Sequence, residues 1–196
     1  MTQIRSAVPA DAERLLEIYA HYVRNTAVSF EWEAPSADVF RWRIEDTLRR
    51  WPYLVIEEGG AALGYACAGP FKGRAAYDWS CEISIYLDPA ARGRGLGRAL
   101  YEALEAALRA MGVQNLYACI AFPETEDEYL TRASADFHAR MGLALAGRYR
   151  RCGRKFGRWY DMVWMEKLIG EHAADQPPVT PWPQVPDGIR EAICDG

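Results

Sequence analysis

The sequence predicts a single α/β (α+β) domain with a mixed, mostly antiparallel central sheet and helices on both of its faces. Its 196 residues correspond to one domain of ordinary size. Alternating and helical apolar patterns follow one another in the order β-α-α-β-β-β-α-β-α-β-β. In addition, a glycine-rich turn joins an apolar strand to an amphipathic helix near the middle of the chain.

The N-terminal half is predicted to contain a strand, two helices and a hairpin. Pro9-Ala10-Asp11 is typical of a helix start, and Ser36 is a favoured N-cap residue for the second helix. Gly59-Gly60 between two apolar runs indicates a tight turn. The predicted elements are a strand at 3–7, a helix from 9, a helix from 36 to about 50, and strands at 53–57 and 63–68.

The C-terminal half is predicted to continue the sheet and to add two helices. Pro89 ends a strand because it has no N–H for a ladder. Leucines 96, 100, 104 and 108 then share one helix face. The predicted elements are a strand at 77–87, a helix to 111, a strand at 115–121, a short helix at 131–141, and strands at 143–151 and 159–167. Five prolines after residue 170 predict an extended or disordered tail at 171–196, so the domain is expected to span 1–170.

The net charge, the apolar runs and the cysteine spacing exclude several classes of function. The formal net charge of -4 argues against nucleic acid or an anionic membrane as partner. No apolar run approaches the length of a membrane helix, and the N-terminus lacks an export pattern. Five cysteines without CxxC spacing indicate neither a disulfide framework nor a zinc site. We therefore expect a cytoplasmic protein that needs no metal.

The turn Arg92-Gly93-Arg94-Gly95-Leu96-Gly97 is the most informative segment. Backbone N–H groups in such a turn, next to the positive end of a helix dipole, form a diphosphate site. A nucleoside-triphosphate loop would need Gly-Lys-Ser or Gly-Lys-Thr, which the chain lacks. A dinucleotide fingerprint would need a third glycine where Arg98 stands. The alternative is an ordinary turn without a ligand.

Arg-x-x-Gly-x-Gly after a strand resembles the acetyl-CoA signature of the GNAT N-acetyltransferases, in which this loop wraps the pyrophosphate of coenzyme A. A closer resemblance, to the phosphinothricin and methionine sulfoximine acetyltransferase branch, rests on AGPFKGRAAYDW at 68–79 followed by Glu82. It extends over roughly residues 3–168 and includes the Ser134, His138 and Gly142 spacing. The resemblance implies the same fold, acetyl-CoA as co-substrate, a small amine as acceptor and a homodimer.

Glu82 is the candidate general base. Acetyl transfer needs a neutral amine, and a carboxylate whose pKa is raised by burial can take the proton through a water. Its position in the strand places it on the face opposite Ile83 and Ile85, among aromatic and small residues. A solvated strand glutamate is the alternative. Backbone N–H groups near Ile85 and Tyr86 are expected to polarise the thioester carbonyl if the strand bulges there.

The resemblance assigns further roles by position. His138 is expected to protonate the departing thiolate, with a structural histidine as the alternative. The residues expected to bind acetyl-CoA are Leu87, Arg92, Gly93, Arg94, Gly95, Leu96, Gly97, Arg98, Thr131 and Ser134. Those expected to bind the acceptor are Phe30, Lys72, Arg74 and Tyr77. Arginine and lysine suit an acceptor with a carboxylate and a sulfur or phosphorus oxo group.

The chain also departs from the family pattern. Thr131 stands where relatives often have Asn, and Tyr160 replaces a His. Four carboxylates at 124–130 form either a solvated loop, a lid or a site for a cationic acceptor. A basic stretch at 148–158 is explained by solubility, a dimer contact or an anionic substrate. Alternative functions are therefore acetylation of a protein N-terminus, a polyamine or an aminoglycoside, and acyl-CoA sensing without catalysis.

Overall fold

The computed structural model, which describes residues 2–195, confirms the predicted fold class. A mixed, mostly antiparallel sheet carries helices on both faces. The strands are β1 (Thr2–Ser6), β2 (Tyr53–Glu58), β3 (Ala61–Pro70), β4 (Ser80–Leu87), β5 (Asn115–Phe122), β6 (Ala144–Lys155) and β7 (Arg158–Leu168). The α-helices are α1 (Ala12–Asn25), α2 (Ala37–Leu48), α3 (Leu96–Met111), α4 (Ala133–Arg140) and α5 (Asp187–Asp195).

The strands lie in the order β1-β2-β3-β4-β5-β7-β6, and one neighbouring pair departs from the antiparallel pattern. Among the described strands, β4 and β5 are the one parallel pair, and they pair only from Ser80–Asn115 to Glu82–Tyr117. β3 follows β4 from Leu87 back to Cys81 with no register shift. β4 therefore keeps a partner on one side, while its other edge has no strand partner beyond Glu82 and faces a gap.

Each face of the sheet has its own apolar core. The leucines of α3 are buried against one face, together with the odd-numbered residues Cys81 and Ile83 of β4. α1 and α2 cover the other face over β2 and β3, where Leu15 and Tyr65 are buried. Burial of one large aliphatic side chain stabilises a fold by about 1.5–3 kcal/mol. The two cores therefore hold β4 firmly from both sides.

Most predicted boundaries are confirmed to within a few residues. Ser36 caps α2, because its Oγ accepts the Val39 N–H at 3.3 Å. The strand predicted from residue 77 is wrong at its start, since Ala75–Tyr77 is a 3-10 turn and β4 begins at Ser80. The turn closes locally, with the Tyr77 N–H donating to the Arg74 carbonyl at 2.9 Å.

The prediction of an extended or disordered tail at 171–196 is wrong for residues 182–195, and residue 196 lies outside the described residues. Residues 171–181 contain no helix or strand, but Trp182–Gln184 forms a 3-10 turn and α5 follows it. Val179, Trp182 and Val185 are buried in the core on the α3 side. A few well-spaced apolar anchors therefore order a segment whose average composition is that of a disordered chain.

No helix within residues 2–195 is long and apolar enough to cross a membrane. The same residues contain no group of three or more His, Cys, Asp or Glu side chains arranged to hold a metal ion.

Candidate active site

The gap between β4 and β5 is the centre of the candidate site. Parallel strands that separate leave backbone groups without ladder partners, and these groups are available to a ligand. The gap is lined by β4, β5, α4 and the loop after α1, through Val28, Ile83, Ser84, Ile85, Tyr86, Ala118, Cys119, Ile120, Ala121, Ser134 and His138. The bulge expected near Ile85 is absent from the β3–β4 pairing. The free edge of β4 arises instead from its separation from β5.

Glu82 lies where the two strands part. It is half-buried, pairs with Gly69 and Tyr117, and forms no hydrogen bond or ion pair within residues 2–195. The predicted separation of faces is confirmed, because Ile83 is in the α3 core while Glu82 is on the opposite face. Burial raises the pKa of Glu82, and the positive charge of Lys72 lowers it by a smaller amount. A carboxylate in this setting is suited to act as a general base.

The loop at residues 71–79 brings Lys72 beside this carboxylate and also contains Arg74. Lys72 Nζ lies 4.9 Å from the ring centroid of Phe71 and 5.0 Å from that of Trp164. Phe71 is stacked on Tyr117 at 4.2 Å between ring centroids. Arg74 is exposed, and its side chain has no partner among the described residues. The loop therefore places the positive charge of Lys72 against the aromatic rings of Phe71 and Trp164.

The remaining predicted acceptor residues, Tyr77 and Phe30, lie on two different segments. Tyr77 is part of the loop itself and lies 5.8 Å from Phe71 between ring centroids. Phe30 lies on the connection between α1 and α2, directly against Gly153 of β6. A Cβ at that glycine would be 2.2 Å from the Phe30 ring. Phe30 also packs on the cluster that contains Ala121, a residue of the gap.

A buried lysine holds the Phe30 connection in place. Lys155 is 3% exposed, and its Nζ donates to the Ser29 carbonyl at 2.6 Å. The Ala27 N–H donates to the Tyr129 carbonyl at 3.0 Å. Burial lowers the pKa of Lys155. The connection is thereby tied to β6 and to the segment that precedes α4.

The glycine turn has the backbone of a ligand-binding loop. Gly93 and Gly95 have φ values of +76° and +81°, in the left-handed region that favours glycine. A Cβ at either position would meet nothing within 4 Å, so the turn is open. At Gly97 a Cβ would lie 3.4 Å from both Leu87 and Phe137. Gly93 and Gly95 therefore serve the backbone conformation, whereas a Cβ at Gly97 would make ordinary van der Waals contact with β4 and α4.

Side chains from α1 and β2 hold the turn. Arg92 Nη2 donates to Tyr22 Oη at 2.9 Å, and the Tyr22 hydroxyl donates to the Leu87 carbonyl at 2.5 Å. Arg94 forms an ion pair with Glu58 at 2.8 Å. Because both arginines are bound to protein partners, the turn offers chiefly its backbone N–H groups to a diphosphate. Arg98 is exposed on the first turn of α3, and Leu96 is buried beneath it.

His138 contributes a buried acceptor beside the gap. Its Nδ1 lies 2.8 Å from the Ser134 carbonyl, which can only accept, so Nδ1 carries the proton. Nε2 is buried without a hydrogen-bond partner in the part of the chain that the structure describes. Burial also lowers the pKa of His138, which favours the neutral ring. This tautomer presents a lone pair rather than a proton, so it fits an acceptor better than the donor implied by the resemblance.

Thr131 and Ser134 lie at the start of α4. Thr131 is exposed, and its Oγ1 accepts the Ala133 N–H at 3.4 Å. Ser134 is half-buried and lines the gap. The structure thus brings Ser134, but not Thr131, to the wall of the gap.

Each carboxylate of the acidic segment at 124–130 already has a partner within the protein. Three of the four pair with arginines of β6 or β7, and the fourth accepts a backbone N–H immediately before α4. The contacts are Glu124 with Arg151 at 3.3 Å, Glu126 with the Arg132 N–H at 2.7 Å, Asp127 with Arg158 at 2.8 Å, and Glu128 with Arg158 at 2.6 Å. These contacts hold the segment on the β6–β7 hairpin and use Arg151 and Arg158 of the basic stretch. They argue against a site for a cationic acceptor.

Sequence reasoning missed an aromatic and sulfur-containing surface next to Glu82. Phe71, Tyr117 and Trp164 form its aromatic part, and Cys119 Sγ lies 2.9 Å from Met162 Sδ. Alternation in β5 could have revealed it, because residues 116, 118 and 120 are buried in the α3 core while 117 and 119 face the other way. The same parity argument that selected Glu82 applies to this strand.

Known proteins are similar to this chain in sequence and in fold. Residues 4–164 match the family model described as the acetyltransferase (GNAT) domain. A phosphinothricin N-acetyltransferase from Streptomyces coelicolor is 38% identical over 171 residues, covering 85% of this chain and 96% of the relative. An L-methionine sulfoximine/L-methionine sulfone acetyltransferase from Salmonella typhimurium is 34% identical over 174 residues, covering 87% and 96%. The solved structure of a Sinorhizobium meliloti phosphinothricin acetyltransferase with acetyl-CoA has a TM-score of 0.82 at 34% identity, covering 93% and 96%.

Proposed function

The chain belongs to the GNAT acetyltransferase family, and on that premise we propose that it transfers the acetyl group of acetyl-CoA to the primary amine of a small amino acid or analogue. Relatives named for phosphinothricin and methionine sulfoximine support this acceptor class. The observation that carries the proposal is the half-buried carboxylate of Glu82, which lies beside Lys72 where β4 and β5 part.

Free backbone groups of the site and its unpaired histidine nitrogen both suit acetyl-CoA. The open turn at Gly93 and Gly95 suits the diphosphate, and the free edge of β4 and the lone pair of His138 suit the amide groups of the pantetheine arm. Acetyl-CoA supplies the acetyl group as an activated thioester. We assign its binding to Leu87, Arg92, Gly93, Arg94, Gly95, Leu96, Gly97, Arg98, Thr131 and Ser134.

Glu82 acts as the general base in this proposal. An α-amino group has a pKa of about 8 and is largely protonated at neutral pH, so a proton must leave before attack. Glu82 accepts it through a water, because burial raises its pKa toward the working range. Backbone N–H groups on the free edge of β4 polarise the thioester carbonyl, each worth about 3 kcal/mol. Transfer is direct, with both substrates bound together: the C–N bond forms as the C–S bond of the thioester breaks, and the coenzyme A thiolate takes a proton from water.

The acceptor lies over the aromatic surface beside Glu82. Lys72 and Arg74 hold its carboxylate and oxo oxygens. Phe30 and Tyr77 form the walls, and Tyr117 with Trp164 contacts its side chain. The paired carboxylates of 124–130 disfavour polyamines and aminoglycosides as acceptors.

We also propose that the enzyme is a cytoplasmic homodimer. Leu145, Tyr149 and Trp159 on the β6–β7 hairpin are each more than half exposed. β6 is also an edge strand with free backbone groups. Light scattering coupled to gel filtration is expected to give twice the chain mass of 22.1 kDa, and the mass of one chain would refute the dimer.

The experiment that tests the proposed function is thiol release from acetyl-CoA in the presence of different amines. Saturable turnover is expected with phosphinothricin, methionine sulfoximine and methionine sulfone. Turnover confined to a polyamine or an aminoglycoside would show that the acceptor class is wrong. Silence with all amines, while acetyl-CoA still binds, would instead favour an acyl-CoA sensor.

A further inference from the structure

Residues 171–195, here called the C-terminal strap, follow β7 and lie outside the matched family region of 4–164. The Thr180 N–H donates to the Met111 carbonyl at the end of α3 at 2.8 Å. Trp182 is 2% exposed and is the main apolar anchor of the strap. α5 then packs against β1 and α3. The strap is therefore an integral part of the fold.

The strap binds the last residue of the 71–79 loop directly. Trp79 Nε1 donates to the Pro177 carbonyl at 2.7 Å. The Trp79 carbonyl accepts the N–H groups of Gln114 and Asn115 at 2.9 and 3.1 Å. Asn115 Oδ1 in turn accepts from His172 Nε2 at 2.8 Å. Trp79 is thus held between the strap and the start of β5, three residues before Glu82.

A second connection passes through the end of α2. The Trp182 N–H donates to the Arg50 carbonyl at 2.8 Å. The Arg50 guanidinium lies 3.7 Å from the Asp78 carboxylate. Residues 73–76 of the loop are exposed and make no hydrogen bond outside the loop within residues 2–195. The loop is therefore supported at both of its ends, by the Phe71 stack on β5 and by the contacts of Asp78 with Arg50 and of Trp79 with the strap.

We propose that the strap is a positioning element for the 71–79 loop, with Trp79 and Pro177 as its main contact. Through this contact it sets the position of Lys72, Arg74 and Tyr77, and so it tunes acceptor binding rather than acetyl-CoA binding. The proposal rests on the acceptor-binding role given to these three residues above. It adds a specificity element from a segment that the family model does not include.

The test compares Trp79→Phe, which removes the indole donor but keeps an aromatic ring, with Ile193→Ala as a control. Ile193 packs α5 on the core and takes no part in the hydrogen bond between Trp79 and Pro177. Two readouts are taken in the full chain. One is the rate of tryptic cleavage after Lys72 and Arg74, measured by mass spectrometry. The other is KM for the amine and for acetyl-CoA.

Trp79→Phe is expected to increase cleavage in the loop about fivefold, the factor that the loss of one ordinary hydrogen bond produces. KM for the amine should rise similarly, with KM for acetyl-CoA unchanged. An unchanged cleavage rate would overturn the proposal, as would equal acceleration by Ile193→Ala. Proteolysis does not require turnover, so it tests whether the strap positions the loop even if no amine is acetylated. A failure to acetylate any amine would count against the proposed function alone.

Discussion

The Glu82→Gln variant is expected to lose catalysis while keeping the cofactor. General-base catalysis contributes about 10²–10⁴-fold to a rate, which corresponds to about 2.7–5.4 kcal/mol of activation free energy. We expect a loss of kcat in this range. Acetyl-CoA binding should be unaffected, because the turn at Gly93–Gly97 and the free edge of β4 do not depend on the charge of Glu82.

The same substitution should not destabilise the fold. Glu82 is half-buried without a hydrogen-bond or ion-pair partner within residues 2–195, and burial raises its pKa in the folded state. The folded protein therefore holds a proton there more tightly than the unfolded chain. The contribution of Glu82 to stability falls as pH rises from the unfolded pKa through the raised folded one. At neutral pH a neutral Gln should give an equal or higher Tm.

Three measurements test this reasoning together. Thiol release gives kcat, calorimetric titration gives the affinity for acetyl-CoA, and thermal unfolding gives Tm. Retention of more than about a tenth of the wild-type kcat would refute the role of base, since the loss expected is at least about 100-fold. Glu82→Ala is a useful companion, because it removes the carboxyl group altogether and should be no more active than Glu82→Gln.

Other substitutions test the surroundings of Glu82. Lys72→Met removes a charge that lowers the pKa of Glu82, so the acid limb of the kcat/KM profile should move to higher pH; an unmoved limb would contradict the coupling. Gly153→Ala would place a Cβ 2.2 Å from the Phe30 ring, so KM for the amine should rise several-fold while KM for acetyl-CoA does not; equal changes in both would argue for general distortion. Gly95→Ala places a side chain at φ +81°, at a cost of about 1–2 kcal/mol, and should raise KM for acetyl-CoA about tenfold; an unchanged value would show that the turn does not bind the diphosphate.

The sequence predicts the elements near the turn well because the determining signals are local. Pro89, the glycines and the leucines of α3 fix a strand, a turn and a helix within about 25 residues of chain. The parity of Glu82 follows from β geometry in the same way. The strand start at residue 77 was predicted wrongly because Ala75–Tyr77 closes on itself through Arg74, which alternation cannot show.

Contacts between distant segments account for what the sequence did not predict. The acidic segment and the basic stretch are each ambiguous alone, and their pairing appears only when β7 brings Arg158 beside Asp127 and Glu128. The tail has few apolar residues, yet Trp182 enters the core on the α3 side. The tautomer of His138 likewise depends on the Ser134 carbonyl one helical turn away. Composition and periodicity contain none of this information.

The geometry of β4 explains why this site suits a long cofactor. Glu82 and Leu87 lie at opposite ends of the unpaired stretch of β4, five residues apart, or about 17 Å at about 3.3 Å per residue. The turn that suits a diphosphate follows Leu87, whereas the acidic group that suits proton transfer is Glu82. A compact nucleotide in the turn would leave its reactive end far from Glu82. A ligand that carries a diphosphate at one end and an acyl thioester at the end of an amide-containing arm spans this distance and can satisfy the free edge of β4 along the way.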